Sequence, residues 1–392
     1  MSANSYVDTL GNALVSAKIG LRNKADLIGP LDLLQWGKQV QHDLNSDTDT
    51  FRVEYYKELF DHDTAGNQPV PLVSRRLGTD GASGTPLVAQ NAYVERQLGM
   101  YANHLIITDA TRKMSGDKVL ETYQKKLVSL AVSDIGKLGF RTFDGLDGTS
   151  FVRFGKAAAT GESAETACAA EISQYDIREA FSRFRDYHVQ PIVDIQDAKN
   201  NFSLTQIQPS YVLLIHPAVV IDMLENFTGT YEFIHISQYG ANGIKPIGQR
   251  EIGIIPKYDC RVIVSDFVKA QTGVATAGTA GLRQSGGTNI TYHNILLGAE
   301  AYAMPGLGRM IDAKVTLENG KQERITKLSG VDFWSFSPQH SAADPQGLKH
   351  GLGYQFWCGD TANAEGGILL PSVTSGGTTV YKAHKIITCA ST

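Results

Sequence analysis

Residues 61–90 place the strongest constraint on what this chain can become. Their only large aliphatics are Val70, Leu72, Val73, Leu77, Leu87 and Val88, set among Gly66, Pro69, Pro71, Gly78, Gly81, Gly84 and Pro86. Ordering a backbone costs ~1–2 kcal/mol per residue, and so few apolar groups bury too little area to offset that within the segment. Directly after it, Val94, Leu98, Met100, Ala102 and Ile106 alternate with Glu95, Gln97, Gly99 and Asn103. That is the period of a strand with one apolar face. The two stretches together predict a long extended hairpin with a glycine-rich tip. Such a flap is either a loose surface loop or rests on something outside its own fold.

Ser115 then opens the clearest helix, as an N-cap with Asp117 in the first turn to complement the helix dipole. Leu120, Tyr123, Leu127, Leu130, Asp134 and Leu138 fall on one face and predict its core side, with Glu121, Lys125 and Lys126 elsewhere. Gly116 to Leu138 would extend about 35 Å at helical rise. Upstream, Pro30 suits a first helical turn, and Leu33, Trp36, Val40 and Leu44 recur at spacings of three and four. Residues 1–50 therefore read as an arm carrying a short helix.

Downstream, Asp176 and Glu179 have capping-box spacing, and Ile177, Ala180, Phe181, Phe184 and His188 share a face ahead of Pro191. Tyr211 to Ile215 reads as a buried strand. His216-Pro217 turns it into a helix lined by Val220, Met223, Leu224 and Phe227. Strands are predicted at Ile252–Ile255, Arg261–Val264, Thr291–Leu297, Lys314–Glu318, Gln322–Lys327 and Val331–Phe336, with Asn319-Gly320 as a tight hairpin turn. Residues 273–287 form a glycine-rich excursion, and no internal repeat is present. The fold class is mixed α+β: arm, flap, rod, a compact sheet-and-helix region, then a β-rich tail.

Composition narrows the function. The 392 residues are 42% apolar and 19% charged, which is globular, and 39 glycines point to many turns. Lys and Arg number 36 against 40 Asp and Glu, a formal charge of −4, whereas a chain that grips nucleic acid tightly carries a basic excess. The longest bulky apolar runs, such as Tyr211–Ile215 and Ile368–Leu370, fall far short of the ~20 residues of a membrane-spanning helix. Residues 1–21 lack the pattern of a secretory signal. Cys168, Cys260, Cys358 and Cys389 have no zinc or disulfide-framework spacing and are expected as reduced thiols of a cytosolic setting. Without a signal, the Asn-x-Ser/Thr triplets at Asn201, Asn226 and Asn289 are accidental matches.

Catalytic patterns are missing. No two histidines stand three or four apart, and no phosphate-binding loop appears. Gly306-Leu307-Gly308 and Gly351-Leu352-Gly353 lack the third glycine of a dinucleotide loop and read as turns. Ser115-Gly116-Asp117-Lys118 has a Ser-x-x-Lys spacing without its Ser-Asp-Asn and Lys-Thr-Gly companions, so the helix cap explains it. Asp144 and Asp147 lack the alternating oxygens of a calcium loop. No catalytic residue, cofactor or metal is expected.

The order of elements and several phrases resemble the major capsid proteins of tailed double-stranded-DNA phages, which carry the Hong Kong phage capsid fold, the podovirus-type branch above all. The phrases are Leu105-Ile106-Ile107-Thr108-Asp109 before the long helix, Gly148-Thr149 after it, and Tyr211 to Pro217 ending in Ile-His-Pro. Arg250-Glu251-Ile252-Gly253 with Cys260 to Ser265, and Asp344-Pro345 with Gly351 to Trp357, complete the set. The resemblance spans roughly residues 30–358. It implies an arm over 1–50, and an extended loop with flanking strands over 51–113 lying across a neighbour. It also implies a peripheral domain with the spine helix over 114–175 and an axial domain over 176–340. Residues 341–392 would return to the peripheral domain and add a C-terminal extension.

The resemblance implies a self-assembling shell protein, built as hexamers and pentamers into an icosahedral head. Val70, Leu72, Arg75, Arg76 and Leu87 are its candidate inter-subunit contacts, although solvated surface charge also accounts for the two arginines. Implied partners are copies of itself in capsomers, a portal protein, a scaffolding protein, a decoration protein, and packaged double-stranded DNA enclosed without sequence-specific binding. No membrane partner is implied. The location is the virion, after assembly in the host bacterial cytoplasm. Residues 359–392 run past the end of the similar sequences and read as an added surface strand or a place for a decoration protein. Rival readings are an encapsulin-type compartment shell of the same fold, an unrelated hydrolase with scattered site residues, and a strand-rich tail or decoration protein.

Overall fold

The computed structural model describes residues 36–40, 50–56, 60–62, 69–71, 91–108, 119–146, 151–156, 161–196, 204–227, 233–242, 250–275, 278–305, 312–316, 322–328, 331–336, 349–359, 366–375 and 378–392. Its organising element is the predicted rod, a helix over Val119–Arg141 (α1); Ser115 and Asp117 lie outside the described residues. Two sheets flank it.

The first sheet is nine-stranded and mixed. Its main path runs Val152–Phe154, Ala383–Thr388, Thr291–Leu297, Leu204–Ile215, Cys260–Val264, Glu251–Ile255, Ile234–His235. Alternate residues feed two cores. Val212, Leu214, Ile263, Ile295 and Leu297 face the core shared with α1. Leu213, Ile215, Val262, Leu296 and Ile386 face the other, with helices Gln174–Asp186 (α2) and Val220–Asn226 (α3). Burial of both faces is why Tyr211–Ile215 reads as one continuous apolar run.

The second sheet is six-stranded and antiparallel, in the order Asp312–Thr316, Gln322–Leu328, Val331–Phe336, Lys349–Gly359, Asn91–Thr108, Thr50–Tyr56. Leu352, Tyr354, Phe356 and Cys358 carry it onto the α1 core, and the Tyr354 hydroxyl donates to Asp134. The 18-residue strand Asn91–Thr108 is the extended element expected here. Its pairing with Thr50–Tyr56, from Thr50↔Gln97 to Tyr56↔Asn91, makes an antiparallel base for the flap.

That strand does not have one apolar face. Leu98 is buried and Val94 half-buried, against Val53, Ala303, Ile368 and Leu370. Beyond it, Ile107 is buried and Tyr101 and Leu105 pack on the α1 core instead. The inward side therefore switches from even to odd residues, and Met100, Ala102 and Ile106 are exposed. The strand is long enough to cross from one core to another, and each core takes a different face.

In the arm, Trp36 is helical, but the helix does not continue to Val40. Lys38–Val40 forms a strand parallel to Tyr302–Pro305. A Cβ on Gly37 would lie 2.3 Å from the Tyr302 ring, so the backbone passes flush against that ring and pairs there, overriding the helical spacing of Trp36 and Val40. Trp36 is buried, and Leu33 and Leu44 lie outside the described residues.

Helix α2 starts at Gln174 rather than Asp176, because Ser173 is the N-cap. Asp176 accepts from the Ser173 backbone N–H at 2.9 Å and from its hydroxyl at 2.7 Å. His188 lies past the helix in a left-handed conformation, φ 50°, and does not share the apolar face. The Asn319-Gly320 hairpin has its strands, but Thr316↔Gln322 is the last pair, leaving five residues where a two-residue turn was expected. The 273–287 excursion does contain a tight hairpin, Gln284–Ser285 with Thr288–Asn289, whose Gly286 and Gly287 both have positive φ (59° and 80°).

The largest correction concerns the C-terminus. Ala383–Thr388 is not an added surface strand: all six residues are buried, paired to Thr291–Leu297 on one side and to Val152–Phe154 on the other. Its alternation Ala383, Lys385, Ile387 against His384, Ile386, Thr388 looks half-polar in sequence. Burial is possible because Lys385 reaches the Phe143 carbonyl and Thr388 accepts from Asn294.

Candidate functional site

The rod distributes its side chains differently from the sequence reading. Leu127 and Leu138 are buried as expected, but Tyr123 and Leu130 are 36% and 41% exposed. Leu120 lies on the helix, and its side chain is outside the described residues. The buried sector runs through Leu127, Ala131, Val132, Ile135 and Leu138, turned by roughly 70° about the axis from the expected face, at ~100° per residue. Small residues set this rotation: a Cβ on Gly136 would meet the Phe267 ring at 2.6 Å. The helix packs closest where it has least side chain, and that leaves Tyr123 and Leu130 outward.

Of the flap residues, Val70 lies in the strand Pro69–Pro71, opposite Asp61 in Phe60–His62. Leu72, Arg75, Arg76 and Leu87 lie outside the described residues.

The protomer exposes other large apolar side chains that the sequence reading missed or took for core. Tyr93, Met100 and Ile106 on the long strand are 54%, 56% and 48% exposed. On α3, Ile221 and Leu224 project outward, while Met223 and Phe227 hold the inner side as expected. Tyr175 and Val193 add two more. Leu224, Met100 and Ile106 follow the same spacing as true core positions, so no local signal separates them. Charged groups flank two of these side chains. The Arg52 guanidinium sits 3.7 Å from the Tyr93 ring centre and also reaches Glu95, and Lys126 lies 5.4 Å over Tyr123. An apolar centre with a charged rim is the composition of a protein interface, and Tyr93 and Tyr123 each have a charged neighbour of that kind.

Buried polar groups tie the sheet rather than open a reaction centre. Arg153 pairs with Asp176 and Glu179, joining the sheet edge to α2. Arg261 and Glu251 pair at 2.8 Å, and the Tyr239 hydroxyl donates to Glu251 at 2.6 Å. Glu165 accepts from the Thr291 hydroxyl at 2.6 Å and contacts His293 Nε2 at 2.9 Å. Burial pushes the Glu165 carboxyl up, but the hydrogen bonds from His293 and Thr291 outweigh it and hold it below its ordinary range. The Thr291 proton goes to the carboxylate, not to the imidazole, so this trio lacks the hydroxyl–histidine bond of an activated nucleophile.

A cleft of about 580 Å³ opens beside the start of α2, lined among others by Ala169, Glu171, Tyr175, Arg178, Asn226 and Leu282. Among the described residues, no group of three or more His, Cys, Asp or Glu could hold a metal ion, and no helix is long and apolar enough to cross a membrane.

No protein-family model and no curated protein matches the chain. Solved structures do. The capsid of Ralstonia phage GP4 matches with a TM-score of 0.50 at 12% identity, over 90% of this chain and 87% of that one. The head of Helicobacter pylori bacteriophage KHP40 gives 0.49 at 11% identity, over 89% and 86%. The cyanophage Pam1 capsid gives 0.48 at 9%, over 90% and 89%. The chain has the fold of the Ralstonia phage GP4 capsid protein.

Proposed function

We propose that this protein is the major capsid protein of a tailed double-stranded-DNA phage, assembling as hexamers and pentamers into an icosahedral head. The observation that carries the reading is the fold shared with the Ralstonia phage GP4 capsid across 90% of the chain. Exposed large apolar side chains on several separate elements support it, because a shell subunit must meet several neighbours at once. In this reading 51–113 extends over an adjacent copy, α1 is the spine of a peripheral domain over 114–175, and 176–340 forms the axial domain. Residues 341–392 return to the peripheral domain.

A portal protein, a scaffolding protein, a decoration protein and the packaged genome are the further partners. The shell acts without catalysis, is built in the host cytoplasm and resides in the virion. A chain of net charge −4 suits enclosing DNA without gripping it. Negative-stain microscopy of the expressed protein, alone and with its scaffolding protein, tests the proposal. Closed shells or rings of five and six are expected. A stable monomer that turns over a substrate overturns it.

A further inference from the structure

Two thiols stand apart from the main cores. Cys168 follows the short turn Glu165–Ala167, and Cys389 follows the last strand; with Leu282 they form a small buried cluster of their own. Their sulfurs are 3.9 Å apart. The backbone holds them in place: Cys389 N–H donates to the Ala170 carbonyl at 2.9 Å, and Glu171 pairs with Cys389 in a parallel bridge. The Cys389 thiol also donates to the Cys168 carbonyl at 3.5 Å. Cys260 belongs to the α2–α3 core and Cys358 to the α1 core, so neither competes.

We propose that Cys168 and Cys389 are a modification site, oxidised by a small peroxide to a disulfide that fastens the C-terminal strand to the 165–168 turn. Hydrogen-bond contact between the sulfurs leaves about 2 Å to close to a disulfide bond, within reach of side-chain rotation. Hydrogen bonding by the Cys389 thiol is the main cause that lowers the Cys168 thiol below its ordinary range, and the same bond raises Cys389. Cys168 is thus the attacking sulfur.

Its thiolate takes the terminal oxygen of hydrogen peroxide to give a sulfenic acid, and hydroxide leaves with the O–O electron pair. The Cys389 sulfur then displaces hydroxide from the sulfenic sulfur, forming the S–S bond. With the two thiol protons counted, two thiols and one peroxide give one disulfide and two waters. Entry is from the cleft: Leu282 lines it and also touches the sulfur pair, and Ala169, next to Cys168, forms part of its wall.

The test uses the full-length protein, reduced, then exposed to hydrogen peroxide, unfolded in an alkylating agent and weighed intact. Alkylated thiols should fall from four to two per chain, with a peptide linking Cys168 to Cys389 and a melting temperature a few degrees higher than in the reduced protein. Cys260→Ser should lose two thiols in the same way, and Cys389→Ser should lose one of its three, with Cys168 held as the sulfenic acid and no disulfide formed. Four alkylated thiols in the oxidised wild type, a sulfinic acid at Cys168, or a link through Cys260 or Cys358 would overturn the proposal. These readings come from the wild type, so a poorly folding variant does not block them.

Discussion

At the scale of single residues, the interior is held by polar groups whose partners are far away in sequence. His384 is the exception. It sits in the fully buried last strand at 1% exposure, and its Nδ1 has no hydrogen-bond partner. Burial, then the positive charges of Arg183 and Arg153, hold its pKa down to about 3. An unfolded histidine takes up a proton near pH 6.5, so between there and pH 3 the unfolded state binds one proton more than the folded one. Stability must fall as pH falls through that window, by ~1.4 kcal/mol per pH unit from this group. Urea unfolding of wild type and His384→Leu at pH 7.5 and 5.0 checks the sign. The wild type should lose about 2 kcal/mol more than the variant over that interval, and equal losses would show that the imidazole is protonated or exposed in the folded chain.

At the scale of elements, the sequence revealed periodicity and concealed partnership. Thr291–Leu297 and Val331–Phe336 were legible to the residue because their apolar runs are short and bounded. The rod was legible as a helix, but its buried side was not, since Ala131 and Gly136 carry no hydrophobic signal yet permit the closest approach. The exposed apolar side chains were illegible for the converse reason: one that projects into solvent spells the same letters as one in a core. This distinction is measurable on α1. Leu127→Asp should lower stability by ~3–5 kcal/mol through a buried unpaired charge. Leu130→Asp, on the exposed side, should leave melting nearly unchanged while reducing particle yield. Equal melting losses would put both residues in one core.

The last strand gives a second test at this scale. Truncation after Lys382 removes a strand bonded on both sides, so insoluble protein is expected; a soluble monomer with native circular dichroism would contradict its central place.

For the whole molecule, the proposed shell role would place stability and assembly in different parts of the chain. Every described residue of the two main cores lies outside 57–90. Within that span, the described strands Phe60–His62 and Pro69–Pro71 pair only with each other. The flap base, Thr50–Tyr56 on Asn91–Gln97 of the long strand, is complete without the tip. Deleting residues 66–88 should therefore leave a soluble subunit whose melting temperature matches the intact chain. If the tip rests on a neighbouring copy, the same deletion removes contacts repeated at every subunit of a shell. Losses too small to notice in one pair then multiply around a closed lattice, and sedimentation and electron microscopy should find free subunits or open fragments in place of shells. Closed shells of normal size would mean that the flap contributes nothing to the lattice. A lowered melting temperature would mean instead that it folds back on its own chain.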